Sequence, residues 1–346
     1  MRTTLAVFVT VLLTIAVVTP AVVAGGTGAS VTQEQETPTC EYPLELEDAT
    51  GETVTIDDEP DSVVALQPSD AQTLFEIGAE ERVVGMPVGQ YTDYLDADPA
   101  LDISEDDGLT PVREEIIDRE PDVVLAANAM AGDDIIDQLR EDGLTVYVYP
   151  TGESIDGVQE NVRITGEIVG ECEGAAETLQ WMDDRLDRIE ETVADEERPL
   201  AYYEMGGGFT AGEGTFQDEI LTRAGVENLG AQAGIDGWQQ ISEEVVIEAD
   251  PEWIVHGDNV EEPVVSEPLM GTAAYETDQV LEVNDNYMSQ PGPLVVLAID
   301  EIATTVHGDE GTDTGGADAS DSIPGFGVPV VVAALIAVLG IGFRRS

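Results

Sequence analysis

Two stretches of this chain repeat each other residue by residue. Glu114, Ile116, Ile117, Pro121, Asp122, Val124 and Leu125 stand at a constant offset from Glu244, Val246, Ile247, Pro251, Glu252, Ile254 and Val255. A match of this kind, present once in each half, points to two lobes of related construction. Around it, short apolar runs alternate with helical patterns. Strands are expected at 53–56, 62–66, 82–86, 121–126 and 144–149, with helices at 70–77 and 133–142. The second half repeats the theme with a strand at 200–204, a Gly-rich loop at 206–214, a helix at 215–224, a strand at 253–256 and a final helix at 293–307. Several strands are near-continuous runs of Val, Leu, Ile and Ala, the mark of strands buried on both faces, and hence of parallel sheets covered by helices.

Between the halves, 154–194 carries apolar residues at helical spacing and no proline. It reads as one long helix or two helices in line, kinked at Gly166, Gly170 or Gly174. The fold class is therefore α/β: two Rossmann-like lobes, each a mostly parallel sheet with flanking helices, joined by a long interlobe helix. The expected order is a signal peptide at 1–24, an N-terminal segment at 25–43, an N-terminal α/β lobe at 44–153, the connecting helix at 154–197, a C-terminal α/β lobe at 198–307, an acidic low-complexity linker at 308–323 and a terminal sorting segment at 324–346.

Charge narrows the partners. The chain carries 73 Asp and Glu against 12 basic residues, all of them Arg, for a net charge of -61. Nucleic acid is excluded, because the cations that would displace its counterions are nearly absent. The acids run evenly along the chain, and a fold so charged presupposes screening by molar salt, where the Debye length falls to about 3 Å. That describes a halophile. A hydrophobic fraction of 42% leaves ample material for a core.

The apolar run at 5–18 and the small residues up to Ala24 and Gly25 read as a secretory signal for the Sec pathway, with an uncleaved anchor helix as the alternative. At the other end come an acidic spacer, Pro324, Gly325, Phe326, an apolar run at 327–343, and then Arg344 and Arg345. This is a flexible tether, a short membrane helix and a basic stop. The order resembles the PGF-CTERM sorting signal of haloarchaeal surface proteins. The resemblance implies cleavage by an archaeosortase and attachment to a membrane lipid anchor on the outer face of the cell membrane; a plain C-terminal transmembrane helix is the alternative. Cys40 and Cys172 are the only cysteines. Outside the cell an even pair suggests one disulfide between them, with two free buried thiols as the other reading.

Enzyme signatures are missing: there is no HExxH, GxSxG, Walker A or CxxC, and no Lys for a Schiff base or phosphate clamp. No cofactor and no metal site are expected. His256 and His307 are the only histidines, too few for a three-histidine centre. His256, after a strand, faces either a cleft or the core edge, and His307 serves as a helix C-cap. The stretch 102–108 falls short of a calcium loop because Gly108 comes one place late and Arg113 stands at position twelve. The loop 206–214 misses GxGxxG at its last position and reads as a tight turn. Glu114 and Glu244 each open a helix before a Pro-acid-apolar strand. Favourable placement at helix N-termini accounts for an acid at each site but not for the shared register, and both readings stand on the residues alone.

Taken in order, DATGETVTIDDEPDSVVAL, LFEIGAEERVVGM, EEIIDREPDVVLA, FTAGEGTFQDEILTRAGVENL and ISEEVVIEADPEWIV resemble the substrate-binding proteins of ABC importers for cobalamin, iron-siderophores and haem, over about residues 44–307. The resemblance implies a non-catalytic receptor that captures a metal chelate (a corrinoid, ferric siderophore or haem) between its lobes and delivers it to an ABC permease and its ATPase. It implies that Glu114 and Glu244 dock onto permease arginines, and that closure is a small hinge motion. Ligand candidates lie on loops at the carboxyl ends of strands: Gln67, Ser69, Tyr91, Tyr94, Asn128, Met130, Phe209, Trp238, His256 and Tyr287. Phe209 and Trp238 stand where cobalamin binders also carry Phe and Trp, and the scarcity of Arg in these loops runs against an anionic siderophore. A corrinoid is favoured; an adhesion module, or an enzyme on the same scaffold, is the alternative.

Overall fold

The computed structural model describes residues 38–308 apart from 151, 153 and 261–263. The signal peptide at 1–24, the linker beyond 308 and the sorting residues Pro324, Gly325 and Phe326 lie outside the described residues. Among those described, no helix is long and apolar enough to cross a membrane.

A short antiparallel pair, β1 (Leu44–Glu47) and β2 (Thr53–Ile56), precedes the first lobe. There follow β3 (Val63–Ala65), α1 (Pro68–Glu76), β4 (Val83–Gly85), α2 (Arg113–Asp118), β5 (Val123–Ala126), α3 (Asp134–Glu141) and β6 (Val146–Val148). The four strands β3 to β6 pair in parallel in the order β4-β3-β5-β6. Every residue of β3, β5 and β6 is buried, as strands covered on both faces require.

Two helices follow, α4 (Ile155–Val169) and α5 (Cys172–Val193). They are not in line. Gly170 ends α4 in the left-handed conformation (φ 80°), and the chain turns back so that α5 packs along α4. Gln159 donates to Asp183 at 2.6 Å across this hairpin, and a Cβ on Gly166 would fall 2.4 Å from that of Ala175. The glycines that suggested kinks are instead a cap and a close helix crossing. Cys40 and Cys172 are disulfide-bonded, tying the segment before β1 to the start of α5.

The second lobe contains β7 (Leu200–Glu204), β8 (Phe209–Ala211), α6 (Phe216–Arg223), β9 (Glu227–Asn228), α7 (Leu229–Gln232), β10 (Trp238–Gln240), α8 (Glu243–Ala249), β11 (Trp253–Gly257), α9 (Ala273–Glu276), β12 (Val280–Val283), α10 (Asp285–Ser289) and α11 (Val295–His307). Its main sheet is parallel, in the order β12-β11-β7-β9. Part of the Gly-rich loop is a strand: β8 pairs antiparallel with β10 as a separate ribbon.

One apolar core runs through both lobes. It joins Val63, Leu74 and Leu125 of the first to Val162, Ile168, Met182 and Ile189 of the hairpin and on to Tyr203, Val255 and Ile299 of the second. Separate clusters close the outer face of each sheet, around Ile116 and Leu139 in one lobe and Val246 and Leu269 in the other. The tightest point is Gly174, where an added Cβ would lie 1.9 Å from the Ile77 carbonyl oxygen at the end of α1. Backbone cannot yield as a side-chain tip can. Gly174→Ala is therefore expected to destabilise the protein by about 2 kcal/mol or more, read as a lower denaturant midpoint at unchanged slope. A neutral substitution would show that α5 is free to slide on α1.

Candidate functional site

A cleft of about 430 Å³ opens between the lobes. From the first lobe it is lined by the β3–α1 junction (Gln67, Ser69, Asp70), Tyr91 and Leu109 in the loops, and Asn128 after β5; from the second by Phe216 and Gln217 on α6, Trp238 on β10, and Asp285, Asn286, Ser289, Gln290 and Pro291. Parallel strands point their carboxyl ends to one side, and the loops that follow them converge there.

Of the sequence-derived candidates, Gln67, Ser69, Tyr91, Asn128 and Trp238 line the cleft. Gln67 precedes Pro68 at the start of α1, and its Nε2 donates to the carbonyls of Leu66 (3.1 Å) and Leu109 (3.3 Å). Asn128 Nδ2 donates to the carbonyls of Tyr149 (3.1 Å) and Pro150 (3.0 Å). Trp238 is 54% exposed, and its Nε1 donates to Gln217 Oε1 at 3.0 Å, which holds the indole against the cleft wall.

The other five lie elsewhere. Tyr94 accepts from Gln72 Nε2 (2.6 Å) and donates to Gln290 Oε1 (2.9 Å), with its ring edge-on to Tyr287 at 5.8 Å; both rings sit behind the lining. Met130 is buried in the outer cluster of the first lobe. His256 is 5% exposed on β11, with Nδ1 3.0 Å from the Gly257 carbonyl. Phe209 is exposed on β8, and since its cross-strand partner Gln240 lies two residues from Trp238, strand alternation puts it on the ribbon face that carries Trp238.

Gln217, Gln290, Asn286 and Asp70 are lining residues that pattern reading missed. Gln290 crosses between the lobes, donating from Nε2 to the Tyr91 carbonyl at 2.8 Å, while Leu294 N donates to Gln72 Oε1 at 3.0 Å. Asp70 is 3% exposed, and burial pushes its carboxyl up to about 7 against the main-chain hydrogen bonds from Gln67 and Ala127. The lining holds no Arg and no His among the described residues. Arginines are spent on the scaffold: Arg82 on Glu59 and Glu171, Arg140 on Asp48, Arg163 on Glu160 and Glu167, Arg185 on Asp300 and Arg223 on Glu219. No cluster of metal-ligating side chains occurs among the described residues.

At the far corners, Glu114 and Glu244 each occupy the second position of a short helix, α2 and α8, and both are exposed. Two residues on, Ile116 and Val246 are buried at 0% and 1%. The sequence repeat is thus a repeat of structure.

The family model described as "Periplasmic binding protein" matches residues 63–287. The cobalamin-binding protein of Halobacterium salinarum is 35% identical over 280 residues, covering 78% of this chain and 75% of that one. Among solved structures, the molybdate-binding protein MolA of Haemophilus influenzae superposes with a TM-score of 0.64 at 20% identity, over 76% of this chain and 91% of that one. The vitamin B12-binding protein BtuF of Vibrio cholerae does so with a TM-score of 0.58 at 20% identity, over 71% and 96%.

Proposed function

This chain belongs to the periplasmic binding protein family, a family of non-catalytic solute receptors, and from that premise we propose that it captures a corrinoid between its lobes for an ABC importer. The observation that carries the reading is the chemistry of the cleft: flat apolar and aromatic walls at Trp238, Tyr91 and Phe216, and no cation among the described lining residues. Haem propionates and anionic ferric chelates call for Arg or Lys, whereas a corrinoid is rimmed with neutral amides. A corrinoid is larger than the cleft, so part of it rests outside, where exposed Trp238 and Phe209 extend the platform. The relative from Halobacterium salinarum, named for cobalamin binding, supports the same cargo.

Glu114 and Glu244 are read as the docking acids that meet permease arginines, supported by their exposure and their matched register. Export through the Sec pathway and tethering after Pro324-Gly325-Phe326 by an archaeosortase, with the new terminus on a membrane lipid, complete the proposal; the apolar runs at both ends of the sequence support it.

The test is calorimetric titration of the full chain, in detergent and molar KCl, with cyanocobalamin, a ferric hydroxamate and haem. Saturable one-to-one binding of cyanocobalamin is expected, with the two other chelates at least about tenfold weaker. Preference for haem or the hydroxamate would replace the cargo, and silence toward all three would favour an adhesion role.

A further inference from the structure

Most amide donors in the cleft wall are spent on the chain itself. The side-chain amide NH2 groups of Gln67, Asn128, Gln217, Asn286 and Gln290 donate to the main-chain carbonyls of Leu66, Tyr149, Met288, Gln90 and Tyr91 respectively, and the Trp238 N–H goes to Gln217. Beside the Tyr91 hydroxyl and one N–H each on Gln217 and Asn286, what remains is acceptors. Asn128 Oδ1 takes no hydrogen bond from the described residues. The Asp285 carboxylate, half-buried at the start of α10, receives Asn259 Nδ2 at 2.7 Å and Ser289 Oγ at 3.1 Å, one on each oxygen, and each oxygen keeps a second lone pair. Asp70 adds a further carboxyl to the floor.

We propose that this cleft reads its ligand through N–H groups on the ligand rim, with Asn128 Oδ1 and the Asp285 carboxylate as specificity-determining acceptors, and so separates a corrinoid bearing primary amides from the same corrinoid bearing carboxylates. The proposal rests on the receptor reading above. A primary amide offers two donors to such a wall, while a carboxylate offers none and adds like charge that must be desolvated beside Asp285. The discrimination is built by leaving the wrong ligand unpaired, not by shape, since the two ligands are nearly the same size.

Matched pairs test it by calorimetry on the full chain at pH 7.5 in molar KCl. One pair is cyanocobalamin and its acid-hydrolysed derivative, in which rim amides have become carboxylates; the other is a ferric trihydroxamate with a free ammonium group and the same chelate succinylated. The donor-bearing member of each binding pair is expected to be at least about tenfold tighter. Asp285→Asn should shrink that ratio by strengthening the carboxylate form, and Asn128→Ala by weakening the amide form, whereas structural damage would weaken both members alike. Equal affinities within the corrinoid pair overturn the proposal and leave the receptor reading standing. Binding of only the hydroxamate pair overturns the corrinoid discrimination together with the corrinoid reading. Silence toward all four ligands in a folded protein removes both.

Discussion

Uptake is expected to fall by at least about tenfold in cells carrying Glu114→Arg together with Glu244→Arg, while affinity for the cargo stays within about twofold of wild type. Both side chains are exposed, and among the described residues Glu114 has only the neighbouring Arg113 guanidinium, at the 4.0 Å limit of an ion pair. Neither residue holds the fold. Loss of a favourable first-turn charge should cost about 0.3–1 kcal/mol per site, too little to unfold the protein. In molar salt, charges more than about 3 Å apart are screened, so an effect that survives in that medium has to come from ion pairs formed in contact. Reversal then sets arginine against arginine in the docked complex. Each single reversal should give an intermediate loss if, as proposed, the two corners meet separate permease surfaces. Normal uptake by the double variant would remove the docking role, and a matching loss of cargo affinity would reassign the acids to the binding unit itself.

A second large effect is expected from Glu76→Gln. Glu76 lies on α1 and is 1% exposed; its Oε2 has no hydrogen-bond partner among the described residues, and burial pushes its carboxyl up to about 8. Tyr94 and Tyr287 share that seam, and both phenols are pushed up, first by burial and then in part by the Glu76 charge. A carboxyl that holds its proton more tightly folded than unfolded contributes fully below its unfolded value, near 4.5, and loses that contribution as pH climbs through about 8. Asp70, raised to about 7, acts in the same direction. Stability should therefore decline from about pH 5 to pH 8. Glutamine keeps the shape and cannot ionise, so the variant should flatten the upper part of that decline and melt roughly 5 °C or more above wild type at pH 8.5. Calorimetric scans at half-unit intervals in molar KCl measure it. A variant whose midpoint falls as steeply as wild type would place the titration elsewhere.

The two expectations differ in how readily they could be read from sequence. Glu114 and Glu244 stand out because they belong to a repeat, and the structure places both at the same position of equivalent helices. Glu76 looks like any acid on an amphipathic helix; it is buried because α4 and α5 both pack on α1, which no local pattern announces. The same division runs through the fold. Strands at 53–56 and 200–204 were legible to the residue, since alternation in one and a run of apolar residues before a glycine cluster in the other are local signals. The β8–β10 ribbon was not, because its two strands are three residues each and one lies among glycines. Gly170 could have been read as a cap, but nothing nearby says that the chain turns back beyond it rather than running on.

In the cleft, residues that directly follow strands, such as Gln67 and Asn128, were found by position alone. Gln217, Asn286 and Gln290 were missed because they reach the cleft only through the packing of α6 and α10 against α11. Tyr94 and Tyr287 pack edge-on to each other outside the lining, Met130 is buried in the outer cluster of the first lobe, and His256 is buried within β11.

The core shared by the two lobes has a consequence for how cargo is announced. Because the same packed interior passes from β3 and β5 through the α4–α5 hairpin to β7 and β11, any large change in the span between the α2 and α8 corners would have to repack that interior. Such a core holds the corners like a stiff caliper that closure can shift only slightly, and an importer that gripped those corners would measure nearly the same width on an empty receptor as on a full one. Empty receptors would then compete for the same landing place, and the news of a full load would have to be delivered at the mouth of the cleft, by Trp238 and its neighbours, where the guest itself comes within reach.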